Sequence, residues 1–305
     1  MRVLLASEWH PLSVGGVQTH VRELAESLVK RGFEVFVISR ICGGKINCES
    51  HNSLFKTYTV SSIFPFDIIL VPPDPFKIRE IVEKIRPDVV HAHHAFTFLP
   101  LITLRIAESL SIPRILTNHS AAAGYDYNVF WRTSSYILIP YRKYISKANT
   151  IISVSRAADK FISHFVNNSV KRVIIPNGIN TKRFTPPVRE VGDLRVLFVG
   201  RLVYRKGVHV LLKSFSRVSL EVPEARLTIV GKGYLEPLLR GLASIMDLKE
   251  RVEFKGFIDE ALKPEIYRES RILVVPSIYG ESFGIVVLEG MASGRPVIAS
   301  NTGGL

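Results

Sequence analysis

The chain has 305 residues, of which 47% are hydrophobic and 22% are charged, and its formal net charge at pH 7 is +13. This length and composition predict a soluble protein of about two domains with substantial cores. We predict no transmembrane helix, because no 18-residue apolar run occurs, and no signal peptide, because the apolar start of the chain soon meets Glu8.

The first part of the chain alternates strand patterns with amphipathic helix patterns. Strands are predicted at Val3–Ala6, Glu34–Ser39, Asp88–Ala92, Arg114–Asn118, Thr150–Val154 and Arg172–Ile175. Helices are predicted between them at Val17–Arg31, Pro75–Ile85, Leu99–Ser109 and Arg156–Phe165. Strands that alternate with helices indicate a parallel sheet covered on both faces, and sites in such folds form at the carboxyl ends of the strands.

The pattern breaks at Asn180–Asp193, which contains two adjacent prolines and charged residues, and then restarts. Strands are predicted at Leu194–Val199, Arg226–Val230, Val252–Lys255, Ile272–Val275 and Pro296–Ala299. Helices are predicted at Val208–Leu220, Leu235–Ile245 and Lys263–Arg268, and a last helix carries Glu289. We therefore predict an α/β protein of two Rossmann-like domains, residues 1–180 and 181–305, with the active site in the cleft between them.

A glycine pair follows the first strand, in residues 11–17 (Pro-Leu-Ser-Val-Gly-Gly-Val). Gly15 and Gly16 let the backbone approach a ligand closely, and the helix start behind them favours an anion. The alternative is an ordinary tight turn. A dinucleotide-binding site and a P-loop are excluded, because neither glycine motif occurs and the second strand ends at Arg40 without the usual acidic residue.

Histidines stand at the ends of two predicted strands. His119 is expected to point into the active site, and a purely structural role is the alternative. His91 and His93 lie on one face of their strand, next to His94. This run lacks a nearby acidic or thiol ligand, and a metal site needs three or four converging ligands, so no metal is expected.

Two cations follow the first strand of the second half, in residues 200–207 (Gly-Arg-Leu-Val-Tyr-Arg-Lys-Gly). Arg201 and Lys206 therefore lie at a strand-to-helix junction that faces the predicted cleft. Such charges stabilise a diphosphate leaving group as its negative charge grows. The alternative is a pair of solvated surface cations.

Two glutamates flank the start of the last predicted helix. Ser282 is predicted to cap this helix, and Gly294 with Pro296 to end it. Glu281 then lies in the loop at the helix mouth, where free N–H groups suit a phosphate. Glu289 lies inside an apolar helix and needs hydrogen bonds, which a ligand rich in hydroxyls would supply. Sugar, ribose and phosphate together describe a nucleotide-sugar, and the alternative is two surface glutamates.

These motifs together resemble retaining glycosyltransferases of family 4, which have the GT-B fold, over nearly the whole chain. The resemblance implies a nucleotide-sugar donor and neither metal nor cofactor, and no Asp-x-Asp is present to clamp a metal–diphosphate. It also implies that Glu281 contacts the transferred sugar and Glu289 the ribose. The implied catalytic residues are His119, Arg201, Lys206 and Glu281. The implied donor-binding residues are Gly15, Gly16, Gly231, Phe257, Ser282, Phe283, Gly284, Ile285 and Glu289.

Two short motifs are similar to the branch of this family that glycosylates phosphatidylinositol or related lipids: Gly-Gly-Val-Gln-Thr-His at residues 15–20 and Thr-Asn-His-Ser at residues 117–120. Residues 1–185 carry 23 basic and 13 acidic residues, and Phe130–Lys147 mixes aromatic with basic side chains. A cytoplasmic enzyme that binds an anionic membrane face is one interpretation, and an ordinary helix that covers the sheet is the alternative. No recognised motif points to nucleic acid.

Family members continue beyond the Gly-Gly loop in which this chain ends, so the second domain is predicted to be incomplete. A non-catalytic anion- or lipid-binding descendant and a nucleotide-sugar epimerase of the same fold are the alternative functions. Cys42 and Cys48 can form a disulfide but are predicted to stay reduced.

Overall fold

The computed structural model describes residues 1–13, 15–40, 54–62, 71–121, 140–167, 169–188 and 192–305. These residues divide into two compact units, Met1–Pro176 and Asn177–Leu305. Each unit has its own parallel sheet and its own hydrophobic core. None of the helices in the described ranges combines the length and the apolar composition that a membrane span requires.

The first unit is built on a seven-stranded sheet in the order β3-β2-β1-β4-β5-β6-β7, with parallel pairing throughout. Its strands are β1 (Arg2–Ser7), β2 (Glu34–Arg40), β3 (Lys56–Val60), β4 (Val89–His93), β5 (Arg114–Asn118), β6 (Thr150–Ser153) and β7 (Lys171–Ile174). Its helices are α1 (Gly16–Lys30), α2 (Pro75–Ile85), α3 (Phe98–Ser109), α4 (Arg142–Ile145) and α5 (Arg156–Ser163).

Strand β1 shows how both faces of this sheet are covered. Leu4 and Ala6 belong to the apolar cluster that includes residues of α2 and α3, whereas Val3 and Leu5 belong to the cluster that includes residues of α1. Successive side chains of a strand point to opposite faces, so a strand buried on both sides must be apolar throughout. The run Val-Leu-Leu-Ala at residues 3–6 meets that requirement.

The second unit is built on a five-stranded parallel sheet in the order β10-β9-β8-β11-β12. Its strands are β8 (Arg195–Val199), β9 (Arg226–Val230), β10 (Val252–Gly256), β11 (Ile272–Val275) and β12 (Val297–Ala299). Its helices are α6 (Val208–Glu221), α7 (Glu236–Ile245), α8 (Lys263–Arg268) and α9 (Ile285–Ala292), and a short 3-10 helix covers Tyr204–Lys206.

The predicted elements agree with the structure to within a few residues, with two exceptions. Strand β3 was not predicted. The prediction that Ser282 caps the helix that carries Glu289 was wrong, because α9 begins one residue after Gly284, whose φ of 77° makes a left-handed N-cap without a side-chain hydrogen bond. The predicted end is confirmed, since Gly294 follows α9 with a left-handed φ of 69°.

Candidate functional site

The carboxyl edge of the second unit's sheet collects most of the residues predicted to bind the donor. The strands are parallel, so the loops after β8, β9, β10 and β11 meet at one edge. In chain order these loops carry Arg201, Lys206, Gly231, Phe257 and Glu281. The backbone joins three of the loops, since the Gly200 N–H donates to Val230 and the Gly231 N–H donates to Gly256 at 2.7 Å.

Lys206 and Glu281 form a largely buried ion pair at this edge. The Lys206 ammonium donates a short hydrogen bond to Oε2 of Glu281, and the Ser277 hydroxyl donates to the same oxygen at 3.1 Å. Only 14% of the lysine side chain and 11% of the glutamate side chain are exposed. Burial lowers the pKa of Lys206, and the Glu281 carboxylate opposes that shift. The structure thus brings together two of the predicted catalytic residues, 75 positions apart in the chain.

The loop that presents Lys206 is fixed against the loop that presents Glu281. Arg205 donates a 2.9 Å hydrogen bond to the carbonyl of Gly280. Gly207 has a left-handed φ of 69°, and a Cβ on it would lie 1.9 Å from the Pro276 carbonyl oxygen. Only glycine allows so close an approach of the two backbones.

Arg201 and Phe257 are the more accessible residues at the same edge. The Arg201 side chain is exposed, and the Phe257 side chain is 50% exposed directly after β10. A guanidinium and an aromatic ring that are open to solvent can receive a phosphate and a flat base, respectively.

Glu289 lies on α9 with only 3% of its surface exposed, yet its carboxylate has partners within the protein. The Tyr267 hydroxyl donates to Oε2 at 2.6 Å, and the Lys263 ammonium lies 3.5 Å from Oε1. Burial and the neighbouring carboxylate raise the pKa of Tyr267 well above its ordinary value. The sequence interpretation assigned these hydrogen bonds to a ligand, whereas the structure assigns at least two of them to Tyr267 and Lys263. Neither residue was predicted, because nothing in the spacing links α8 to Glu289.

The residues between the two glutamates form the turn into α9. This turn comprises Ser282, Phe283, Gly284 and the first helical residue, Ile285. The free N–H groups of α9 therefore lie at the end that carries Glu281. The Gly304 N–H donates to the Glu281 carbonyl at 2.9 Å, which holds the end of the described chain against this turn.

In the first unit, Gly15 and Gly16 lie at the start of α1. Gly15 is the N-cap, with φ 155° and ψ 160°, and Gly16 is the first helical residue, with no atom within 4 Å of the place where a Cβ would be. Val14 lies outside the described residues. Gly16 thus leaves open space beside the first turn of the helix, whereas a Cβ on Gly15 would lie 2.3 Å from Oε1 of Gln18.

Histidines from three elements meet close to this loop. His20 lies one turn into α1, His93 ends β4, and His119 follows β5. Nδ1 of His93 is 3.3 Å from Nε2 of His119, and the His20 ring centroid is 4.9 Å from that of His119. The His91 ring lies 4.2 Å from the His93 ring between centroids, tilted by 32°, and His91 shares a 2.7 Å hydrogen bond with the Thr117 hydroxyl.

These imidazoles are neutral at physiological pH because they are buried together. Burial lowers the pKa of His20 to about 4 and that of His91 to about 3. Burial, followed by the neighbouring histidines, lowers the pKa values of His93 and His119 well below the ordinary value. His20 was not predicted as a site residue. The sequence did contain a signal for His20. It lies one helical turn after the glycine pair, so it lies near the carboxyl edge of the sheet, where His93 and His119 also lie.

The Arg40 that stands where a dinucleotide-binding fold has an acid is part of a buried ion pair. Arg40 donates to Oε1 of Glu8 at 3.0 Å, and the Leu99 N–H at the start of α3 donates to Oε2 at 2.9 Å. Burial raises the pKa of Glu8, and these donors oppose the shift. Arg40 therefore has a partner inside the first unit.

Several sequence predictions fall wholly or partly outside the described residues. Cys42 and Cys48 lie outside them, as do positions 130–139 of the aromatic and basic stretch. In the remainder of that stretch, Ile145 is fully buried, and Tyr141 and Tyr144 pack against the first unit's core. The described end of the stretch therefore contains a short helix that packs against α3.

Comparisons with known proteins match both units. The family model described as Glycosyltransferase Family 4 matches residues 14–183, and the family model described as Glycosyl transferases group 1 matches residues 180–305. An uncharacterised glycosyltransferase of Methanocaldococcus jannaschii is 29% identical over 98% of this chain and 80% of its own length. A phosphatidyl-myo-inositol mannosyltransferase of Mycolicibacterium smegmatis is 31% identical over 94% of this chain and 72% of its own. The solved structure of Anabaena HepE in complex with UDP-glucose has a TM-score of 0.78 at 17% identity, covering 100% of this chain and 81% of HepE.

Proposed function

The chain belongs to glycosyltransferase family 4, and we propose that it transfers a sugar from a nucleotide-sugar to a lipid or glycan acceptor with retention of configuration and without a metal. Its GT-B fold and its glycosyltransferase class follow from the family. The observation that carries the proposal is the buried pair of Lys206 and Glu281 at the carboxyl edge of the second sheet. The UDP-glucose bound by HepE supports the donor class.

The proposed leaving group is a nucleoside diphosphate held by Arg201 and Lys206. As the bond between the sugar and the phosphate breaks, negative charge grows on the diphosphate, and fixed cations stabilise that charge. Glu281 orients the Lys206 ammonium before the donor arrives. The acceptor oxygen bonds to the anomeric carbon on the face from which the diphosphate departs, and its proton passes to a diphosphate oxygen.

The remaining proposed roles follow the position of each side chain. Glu281, in the loop before α9, contacts the transferred sugar. Glu289, within α9, accepts hydrogen bonds from the ribose. Gly15 and Gly16 allow a phosphate to approach the start of α1. His119 lies at the end of β5, next to the same loop, and contacts the reacting sugar.

The proposed acceptor is phosphatidylinositol or a related lipid. The support is the similarity to the mannosyltransferase of Mycolicibacterium smegmatis and the excess of basic residues in positions 1–185. Basic surface attracts anionic lipid head groups and the membrane face that carries them.

A thermal-shift screen of UDP-, GDP- and ADP-sugars tests the donor, because ligand binding stabilises the folded state by mass action. We expect one nucleotide class to raise the melting temperature and the Lys206→Ala variant to lose that shift. Transfer of the radiolabelled sugar to phosphatidylinositol vesicles, compared with vesicles that lack inositol, then tests the acceptor. A non-catalytic descendant would bind the donor without transfer, and an epimerase would convert the donor sugar without an acceptor.

A further inference from the structure

The outer side of α7, the helix between β9 and β10, is apolar. Leu239 and Ala243 pack in the core of the second unit, so the opposite side of the helix faces solvent. Leu238 and Ile245, two turns apart on that side, are 66% and 85% exposed. The exposed residues that follow the helical spacing form what we call the α7 stripe: Tyr234, Leu238, Gly241 and Ile245.

The α7 stripe contains no charged residue, although surface helices normally carry charges on their solvent side. The neighbouring helix α6 has Lys213 and Arg217 at exposed positions. The charged residues of α7 lie off the stripe, because Arg240 donates to Glu236 at 2.9 Å and also lies over the Phe254 ring, 4.6 Å from its centroid. An exposed apolar surface rimmed by charged residues marks an interaction site.

The stripe and the last described residue lie on opposite faces of the second sheet. Alternate residues of β8 separate these faces. Phe198 belongs to the apolar cluster beneath α6 and α7, whereas Leu197 and Val199 belong to the cluster that contains Leu305. A segment that follows Leu305 would therefore begin on the other side of the sheet, which favours a separate molecule as the partner of the stripe.

The charges around the stripe favour a second copy of this chain over an anionic membrane. From residue 232 to residue 250 the charged residues alternate in sign and cancel: Lys232, Glu236, Arg240, Asp247, Lys249 and Glu250. A neutral surface gains no attraction to acidic lipid. The chain as a whole carries +13, so two copies repel each other through their basic surfaces but meet no net repulsion at the stripe.

We infer that two copies of the chain pair through their α7 stripes, antiparallel about a two-fold axis. Such an axis brings the same surface of both copies together, so the surface must be complementary to itself. With the axis between Gly241 and Leu242, Leu238 of one copy lies against Ile245 of the other, because the two residues are equally far from the axis. This contact occurs twice, and the absence of a side chain on Gly241 lets the helices approach. The inference goes beyond the proposed transfer and does not depend on it.

Sedimentation velocity of the full chain over a concentration series tests the pairing. A reducing agent keeps Cys42 and Cys48 from forming bridges between copies. One helix from each copy makes an interface at the small end of the known range, and such interfaces associate weakly. We therefore expect a monomer–dimer equilibrium with a Kd at or below about 100 µM.

Matched variants locate the interface. Ile245→Glu places a charge against Leu238 of the other copy and should raise the Kd at least about tenfold, as should Leu238→Lys. The two substitutions combined should recover part of the affinity, because their opposite charges then face each other across the axis. Phe76→Glu removes a 79% exposed apolar side chain from the first unit and should dimerise as the parent does. Circular dichroism establishes that each variant folds.

Two outcomes overturn the inference. One is a parent that stays monomeric at about 300 µM. If the binding of that monomer to vesicles falls on Ile245→Glu, the stripe is a membrane-binding face instead. The other is a dimer that survives both Ile245→Glu and Leu238→Lys, which would place the interface elsewhere. The thermal shift with nucleotide-sugars reports the proposed function separately and should be unchanged by Ile245→Glu, because Ile245 ends α7 at the amino edge of the sheet, away from the donor loops.

Discussion

The Tyr267 hydroxyl donates a 2.6 Å hydrogen bond to Oε2 of Glu289, and both side chains are buried. Lys263 makes a longer contact, of 3.5 Å, with the other carboxylate oxygen. Tyr267 therefore fixes the orientation of the carboxylate, and in the proposed donor complex Oε1 is the oxygen that a ribose hydroxyl engages. A side chain that is already oriented loses less conformational entropy when a ligand binds, so the free-energy cost of binding is smaller.

Removal of the Tyr267 hydroxyl should destabilise the second unit. Tyr267→Phe keeps the ring but leaves a buried carboxylate oxygen without its shortest hydrogen bond, and such a loss costs about 1–3 kcal/mol. Urea unfolding at pH 7 measures the change. Tyr204→Phe, at a half-exposed ring, is the control and should change stability little. Equal stability of both variants would contradict the structural role of the hydrogen bond.

The same pair predicts a pH dependence. Burial, and then the Glu289 carboxylate, raise the pKa of Tyr267 above its ordinary value of 10.0, so the folded state keeps the phenol neutral where the unfolded state ionises. The stability tied to the neutral phenol is complete below that ordinary value and is lost as the pH rises through the folded-state pKa. The difference in stability between the parent and Tyr267→Phe should therefore be constant up to about pH 9 and shrink progressively as the pH rises above 10.0.

The carboxyl-edge residues could be predicted from the sequence because parallel strands bring their ends to one edge. Arg201, Lys206 and Glu281 each follow a strand, so their convergence follows from the alternation of strands and helices alone. Strand β3 could not be predicted in this way, because three of its five residues are Lys or Thr and only Val60 is buried. It is an edge strand, so its Thr, Tyr and Val residues favour a strand by type but form no apolar run that marks it in the sequence.

Contacts between distant elements could not be predicted either. Tyr267 lies 22 positions before Glu289 on another helix, and His20 lies far from His119 in the chain. Spacing within one element says which residues share a face, but side-chain contacts between elements depend on how the elements pack. Helix α9 shows the same limit, since its N-cap is Gly284 rather than Ser282.

Lys206 and Glu281 should act as one unit in catalysis. Removal of a fixed charge from the leaving-group site costs on the order of 10²–10³ in rate, so Lys206→Ala and Arg201→Ala should each slow single-turnover transfer by that factor. Glu281→Gln should lower the transfer rate by a smaller factor in the Lys206→Ala background than in the parent, because the effects of substitutions at two contacting residues are not additive. Lys213→Ala, exposed on α6, is the control. Unchanged rates for both cation variants would remove them from the site.

Gly207 should tolerate no side chain. Its left-handed backbone costs another residue about 1–3 kcal/mol, and a Cβ would also meet the Pro276 carbonyl at 1.9 Å. Gly207→Ala should therefore destabilise the second unit in urea titrations. Gly241→Ala, inside α7 with no atom within 4 Å of the new Cβ, should instead stabilise it by about 0.5–1 kcal/mol. The same sign for both substitutions would contradict the backbone contact.

Anionic vesicles should bind the first unit through its exposed cations. Arg142 and Lys143 are exposed on α4, and each cation near an acidic membrane contributes up to about 1 kcal/mol. The double alanine variant should thus lower the partition coefficient by up to roughly 30-fold, and added salt should reduce the parent to the same level. Lys213→Ala with Arg217→Ala, which removes the same charge from the second unit, is the control. Co-sedimentation that is equal with neutral and acidic vesicles would refute membrane binding through charge.

Replacement of Glu289 and of Glu281 by glutamine should change the affinities for the free nucleotide and for the full donor in different ways. Glu289→Gln keeps the shape of the side chain but weakens charge-assisted hydrogen bonds to the ribose, so the free nucleoside diphosphate and the full donor should both bind more weakly. Glu281→Gln removes the partner of Lys206 and the contact to the sugar, so it should weaken the donor and its turnover more than the free nucleotide. Calorimetric titration of both variants with both ligands gives four affinities. If only Glu281→Gln loses the free nucleotide, the two roles are reversed. If neither variant changes any affinity, α9 is structural and the donor site lies elsewhere.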